Sequence, residues 1–234
     1  MSGAALPVVA DELAFLRSLV PLAGARVADL GCGDGSMARR FLLEAGAASV
    51  AALEVDGVQH ARNLAAPRVP GLDFVLAGAD AIPFPDASFG VATMFKSLHH
   101  VPGERLDAAL GEIRRTLAPG GLLYVSEPVF AGPFNEIVRL FHDEEAVRAA
   151  ALAALRRATA AGVLEAVAER EFDAPLAFRD FDDFFRRIVR VTHSDIVLEG
   201  ERLAEVRRRF SAHLGADGAR FLRPMRVNLL RRPG

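Results

Sequence analysis

The stretch Val27–Phe41, VADLGCGDGSMARRF, decides the fold. An apolar run closes on Asp29, glycines follow at positions 31, 33 and 35, and helix-forming residues resume from Ser36. Ordering glycine costs backbone entropy, so this density implies a turn that only glycine can make, or a ligand that must approach the backbone closely. A strand, a glycine turn and a helix N-terminus in succession aim backbone N–H groups at such a ligand.

Outward from that turn the chain alternates. Short apolar runs of strand length lie at 25–30, 49–54, 72–77, 90–95 and 121–127. They are nearly continuous rather than alternating, as strands covered on both faces are. Helical patterns separate them, at 36–46 and 104–118, with Gly46 and the pair Pro119, Gly120 as stops. A β-α-β-α order with buried strands predicts an α/β fold built on a parallel, doubly wound sheet. Residues 7–20 also read as a helix, with Leu13, Leu16, Leu19 and Val20 on one face. Farther on, 143–162, 178–190 and 199–215 read as helices and 219–233 as a last strand, while 163–173 fits either strand or helix.

Composition excludes several classes. The 234 residues, 51% of them hydrophobic, suit one soluble domain with a sizeable core. A net charge of −2 gives no electrostatic case for nucleic acid or an anionic membrane. Lys96 is the sole lysine, so 27 of the 28 basic residues are arginine. The single cysteine, Cys32, precludes an intramolecular disulfide framework and suits a reducing compartment. There is no uninterrupted apolar run of about 18 residues, and Asp11, Glu12 and Arg17 interrupt any secretory segment. A cytoplasmic location is expected.

Two ligands compete for the glycine turn. Gly33–Ala38, GDGSMA, satisfies a dinucleotide fingerprint, and Glu54 stands 19 residues beyond Gly35 as a ribose-binding acid would. An NAD-dependent oxidoreductase is therefore one reading. Asp29 opposes it, because a carboxylate beside the loop repels a pyrophosphate and suits a ligand carrying an ammonium group.

With GADAIPFPDASFG (78–90) and LHHVPGERLDAALGEIRRTLAPGGLLYVSEP (98–128) added, the sequence resembles the class I S-adenosylmethionine-dependent methyltransferases, in the group that includes the ubiquinone/menaquinone C-methyltransferases. The resemblance is specific over about 25–130. It implies a Rossmann-like, mostly parallel seven-stranded sheet with helices on both faces, and a helical lid inserted after the fifth strand at about 128–190. One domain over 1–234 is expected, with the C-terminal helix and last strand at about 199–233. The resemblance also implies roles for residues. Asp29, Gly31, Cys32, Gly33 and Gly35 hold the methionine end of S-adenosylmethionine. Glu54, with Val55, meets the ribose hydroxyls. Asp80 meets the adenine amino group, with Ala81 and Ile82 framing the ring. Phe95, Lys96 and Leu98 lie beside the methionine and sulfonium. Gly90 and Lys96 depart from the family pattern without removing a cofactor contact.

The reaction such a family performs is in-line methyl transfer to O, N or C, leaving S-adenosylhomocysteine. A base is needed only where the acceptor must lose a proton, and His99, His100, His142 and His193 are the candidates. No metal is expected; His142–Glu145 reads as a capped helix start. Eight phenylalanines between Phe130 and Phe185 suggest a lid lined for a small apolar or aromatic acceptor. A methyltransferase-fold protein that binds without turnover is a further alternative. The acceptor and the oligomeric state are not legible.

Overall fold

The computed structural model describes residues 5–190 and 196–234. In chain order the elements are α1 (Glu12–Arg17), β1 (Arg26–Leu30), α2 (Ser36–Leu43), β2 (Ser49–Glu54), α3 (Gly57–Ala65), β3 (Leu72–Leu76), β4 (Phe89–Phe95), α4 (Leu106–Thr116) and β5 (Leu117–Pro128). There follow α5 (Pro133–Val138), α6 (Glu145–Ala160), β6 (Glu165–Phe178), α7 (Phe181–Phe184), α8 (Gly200–Ser211), β7 (Leu214–Gly215) and β8 (Gly218–Arg231). The chain divides into two compact units. The larger holds Asp11–Glu127, Val147–Arg170 and Arg226–Gly234; the smaller holds the residues up to Ala10, Pro128–Ala146 and Glu171–Met225.

The sheet runs in the order β3-β2-β1-β4-β5-β8-β6, seven strands along the path, with the two-residue β7 pairing antiparallel to β8. The pairs β1/β2, β2/β3, β1/β4 and β4/β5 are all parallel. Strand order reverses between β1 and β4. In open α/β sheets ligands bind beyond the carboxyl ends of the strands at such a reversal. The apolar runs fill the core of the larger unit as their continuity predicts: Leu30, Leu53, Met94, Leu98, Leu123 and Val125 are buried there. Helix α4 adds Leu106, Leu110 and Ile113, and α6 adds Ala151, Ala154, Leu155 and Ala158.

Four expectations need correction. The segment 128–190 is not a helical lid throughout. Residues 147–170, with most of α6, belong to the larger unit, and 165–178 form a strand of the sheet. The small α6 residues Ala151, Ala154 and Ala158 are buried in the core of that unit. The helix expected over 7–20 is also shorter. Asp11 caps α1 by accepting from Leu13 N at 3.0 Å, and Pro7–Val9 is extended instead, exchanging backbone hydrogen bonds of 2.9 Å with Asp173.

The third correction concerns the phenylalanines. In the smaller unit Phe134, Phe178, Phe181, Phe184, Phe210 and Phe221 form one buried cluster. Phe184 and Phe210 lie 4.9 Å apart, and Phe134 stacks on Phe178 at 5.9 Å. Arg207 and Arg187 close the cluster over the faces of Phe181 and Phe178 at 4.2 and 4.7 Å. These rings are the interior of their own unit, so their abundance carries no information about an acceptor. After α7 the expected helix over 178–190 continues only as a wide π-type turn, Phe185–Val189.

Candidate active site at the carboxyl edge of the sheet

Asp29 sits in β1 directly across from Thr93 of β4, whose Oγ1 donates to its Oδ1 at 2.8 Å. Its other oxygen, Oδ2, is buried without a hydrogen-bond partner. Burial pushes the carboxyl up to about 6, against the lowering effects of Thr93 and of the positive charge of Lys96; the charge of Glu54 adds to the rise. A buried acceptor that nothing satisfies is costly and marks a place where a donor belongs.

The glycine turn follows. Gly31 has φ +72, and a Cβ there would stand 2.5 Å from the Cβ of Ser97, so the strand end passes Ser97 with room for a hydrogen only. Gly33, at φ +54, has the opposite surroundings: a Cβ would meet nothing within 4 Å. Space is therefore open on the loop's outer side. Cys32 is a packing residue, as its thiol is buried and pushed up by burial and by the charges of Asp29 and Glu54.

Glu54, closing β2, ties strand and loop together. Its Oε2 accepts from Gly33 N at 2.8 Å, and its Oε1 accepts from Val55 N and Asp56 N at 2.9 and 3.0 Å. Three of a carboxylate's roughly four acceptor positions are thus filled by backbone. Val55 is exposed beside it. Beyond β3, Asp80 pairs with the exposed Arg105 at 2.9 Å. Ala81 is exposed, whereas Ile82 is buried in the core and its N–H donates to Glu112 at 3.1 Å.

At the end of β4, Phe95 is half-buried and lies 5.4 Å from the ring of Tyr124. Lys96 follows with φ +56, a left-handed conformation that a non-glycine residue seldom adopts. Its Nζ is 3.4 Å from Glu12 Oε2, and the other oxygen of Glu12 accepts from Ser126 Oγ. Leu98 is fully buried in the core, so it reaches the edge through its backbone, donating to Glu127 Oε1 at 2.9 Å. His99 is buried with Nδ1 in close contact with Glu127 Oε2, and the exposed ring of His100 lies 4.1 Å from the ring of His99. His142 belongs to the smaller unit, with Nε2 2.9 Å from Glu144. His193 lies outside the described residues.

The edge thus collects Asp29, the glycine turn, Glu54, Asp80 and residues 95–99, all within the larger unit. Sequence reading missed Glu12, Asn63, Thr93, Arg105 and Glu127. Asn63 is buried and donates to Gly33 O at 2.7 Å, steadying the loop from α3. Glu127 had a legible signal, because it closes an apolar strand as Glu54 does. Thr93 and Asn63 had none, since their role depends on register and on a loop brought in from afar.

Residues 27–121 match a family described as a methyltransferase domain. This match, with the relatives that follow, supports a class I S-adenosylmethionine-dependent methyltransferase. It is similar to a ubiquinone/menaquinone biosynthesis C-methyltransferase from Hahella chejuensis, with 36% identity over 126 residues, 52% of this chain and 49% of the relative. It is 36% identical over 102 residues to a probable phthiotriol/phenolphthiotriol dimycocerosates methyltransferase of Mycobacterium ulcerans, covering 43% of this chain and 38% of that one. The chain spans about half the length or less of these relatives. The crystal structure of a candidate methyltransferase from Bacillus halodurans shares the fold over 95% of this chain and 99% of that one, with a TM-score of 0.66 and 18% identity. The cofactor of a class I methyltransferase is S-adenosylmethionine. The edge fits it on two counts: an unsatisfied buried carboxylate oxygen for an ammonium group, and a glycine loop open to a ligand.

Proposed function

We propose that this chain binds S-adenosylmethionine at the carboxyl edge of β1, β2 and β4 and transfers its methyl group to a small apolar acceptor. The observation that carries the reading is Asp29: a buried carboxylate with one oxygen unpaired, beside an open glycine turn. Such a group repels the pyrophosphate of a dinucleotide and attracts the amino group of a methionine. Glu54 has about one acceptor position left for a ribose hydroxyl, and a second hydroxyl would displace the Gly33 N–H. Asp80 takes the adenine amino group while sharing its carboxylate with Arg105. Val55 and Ala81, both exposed, flank the nucleoside, and Ile82 and Leu98 support it from the core.

When bound, the cofactor supplies an already activated methyl group, so the protein's task is alignment and exclusion of water. Where the acceptor must lose a proton, His99 is the proposed base. Glu127 contacts Nδ1 and so fixes the tautomer that carries its proton on Nδ1. Leu98 N holds the same carboxylate, which keeps the pair in register with β4. The apolar character of the acceptor is carried over from the relatives, named for quinone and phthiotriol substrates.

Assays with methyl-labelled cofactor against quinols, phenols and hydrophobic amines test this reading. Methylation of an apolar acceptor supports it, and methylation confined to highly charged acceptors contradicts it. With a phenolic acceptor, Glu127→Gln is expected to lower kcat about tenfold to a hundredfold and to shift the acid limb of the pH–rate profile, while binding of S-adenosylhomocysteine stays unchanged. An unaltered kcat removes the base role from His99.

A further inference from the structure

The sole lysine of a chain with 27 arginines stands at this edge. Lys96 comes three residues after Thr93, the hydroxyl donor to Asp29, and its neighbour Ser97 is the residue that crowds Gly31. It is therefore held beside the methionine end of the site by the β1/β4 register. Its backbone is in the left-handed region, and its N–H donates to Ser126 O at 2.7 Å. A non-glycine residue kept there costs about 1 kcal/mol or more, and such positions cluster at ligand sites.

The other cations around the turn are firmly engaged. Arg40 is held by Glu44 and Asp11 at 2.8 and 2.9 Å, Arg39 donates to Asp34 O at 2.7 Å, and Arg105 pairs with Asp80 at 2.9 Å. Lys96 is held more loosely, at 3.4 Å from Glu12, with its side chain 37% exposed. Its positive charge acts on Asp29, whose Oδ2 is buried and unpaired. An anion lacking a donor, coupled to a cation with a long, exchangeable partner, is the complement of a zwitterion.

We propose that Lys96 binds the α-carboxylate of the cofactor's methionine moiety while Asp29 takes its α-ammonium, and that Glu12 occupies the carboxylate position until the ligand arrives. The inference rests on the cofactor reading above and adds to it the group that Lys96 recognises. An ammonium suits the task because its rotatable donors can pass from Glu12 to the ligand's carboxylate without a fixed bidentate geometry, and its compact charge fits at a strand end. Glu12 keeps its Ser126 contact whichever carboxylate Lys96 holds.

Calorimetric titration of the full chain with S-adenosylhomocysteine and with its decarboxylated analogue tests the assignment without needing an acceptor. The readout is the ratio of the two affinities. In Lys96→Met that ratio is expected to shift about tenfold against the carboxylated compound, the size of one charge-assisted contact, and Lys96→Arg is expected to restore most of it. A ratio within about twofold of wild type in Lys96→Met overturns the assignment. So does an equal loss of both ligands at an unchanged melting temperature, which would mean that Lys96 acts on the site as a whole and not on the carboxylate. If wild type binds neither compound, the cofactor reading itself fails and this inference falls with it.

Discussion

Among single residues, Asp29 carries the most of the site's electrostatics. In the unfolded chain its carboxyl titrates near the ordinary 3.8, and in the folded chain near 6 because it is buried. The folded state therefore binds the proton more tightly. The group's favourable contribution is complete below about pH 3.8 and is lost as pH rises through about 6, which leaves the ligand-free protein about 3 kcal/mol less stable at neutral pH. Asp29→Asn is accordingly expected to raise the melting temperature by about 5 °C at pH 7.5 and by little at pH 4. Equal effects at both pH values, followed by circular dichroism, would contradict the burial argument. On the proposed reading the ionised form of Asp29 binds the ligand, so the affinity for S-adenosylhomocysteine should weaken about tenfold per pH unit below 6. Asp29 and Glu54 were legible because an acid that closes an apolar strand is conspicuous. Glu127 carries that mark as well, but its partner appears only once His99 is seen against it.

At the element scale the β1–α2 turn is the constrained piece. Gly31→Ala adds a Cβ where Ser97 already stands and demands a positive φ of an alanine. The expected cost is about 2–3 kcal/mol in chemical denaturation, with loss of cofactor binding. A variant as stable as wild type would mean the turn is looser than this geometry. The five parallel strands β1–β5 were readable from their apolar runs; both faces of β1, β2, β4 and β5 are covered, while β3, at the end of the sheet, is only half-buried. β6 was not, since most of its positions before Phe172 are exposed and its sequence shows no strand-length apolar run. Helix α3 was invisible for a related reason. Its apolar residues Val58 and Leu64 face solvent, and the side chain it buries is the polar Asn63, so no hydrophobic stripe announces it.

At the scale of the whole molecule, two units share the chain, each with its own core. The sequence showed the phenylalanines of the smaller unit but not their purpose, because a helix face rich in aromatics looks the same whether it lines a pocket or fills an interior. Phe184, fully buried among five other rings of the cluster, decides for the interior. Phe184→Ala is expected to destabilise the protein by about 3–5 kcal/mol and to speed proteolysis within Glu171–Met225. A loss under about 1 kcal/mol would show that the cluster is not a core. The larger unit carries the residues assigned to the cofactor, and the measurement that tests that assignment most directly is calorimetric titration of the folded chain with S-adenosylhomocysteine. The account predicts saturable binding at one site in the micromolar range, weakened at least about tenfold in Glu54→Ala. A folded chain that releases no heat with this compound, or a Glu54→Ala variant that binds it as wild type does, would contradict it.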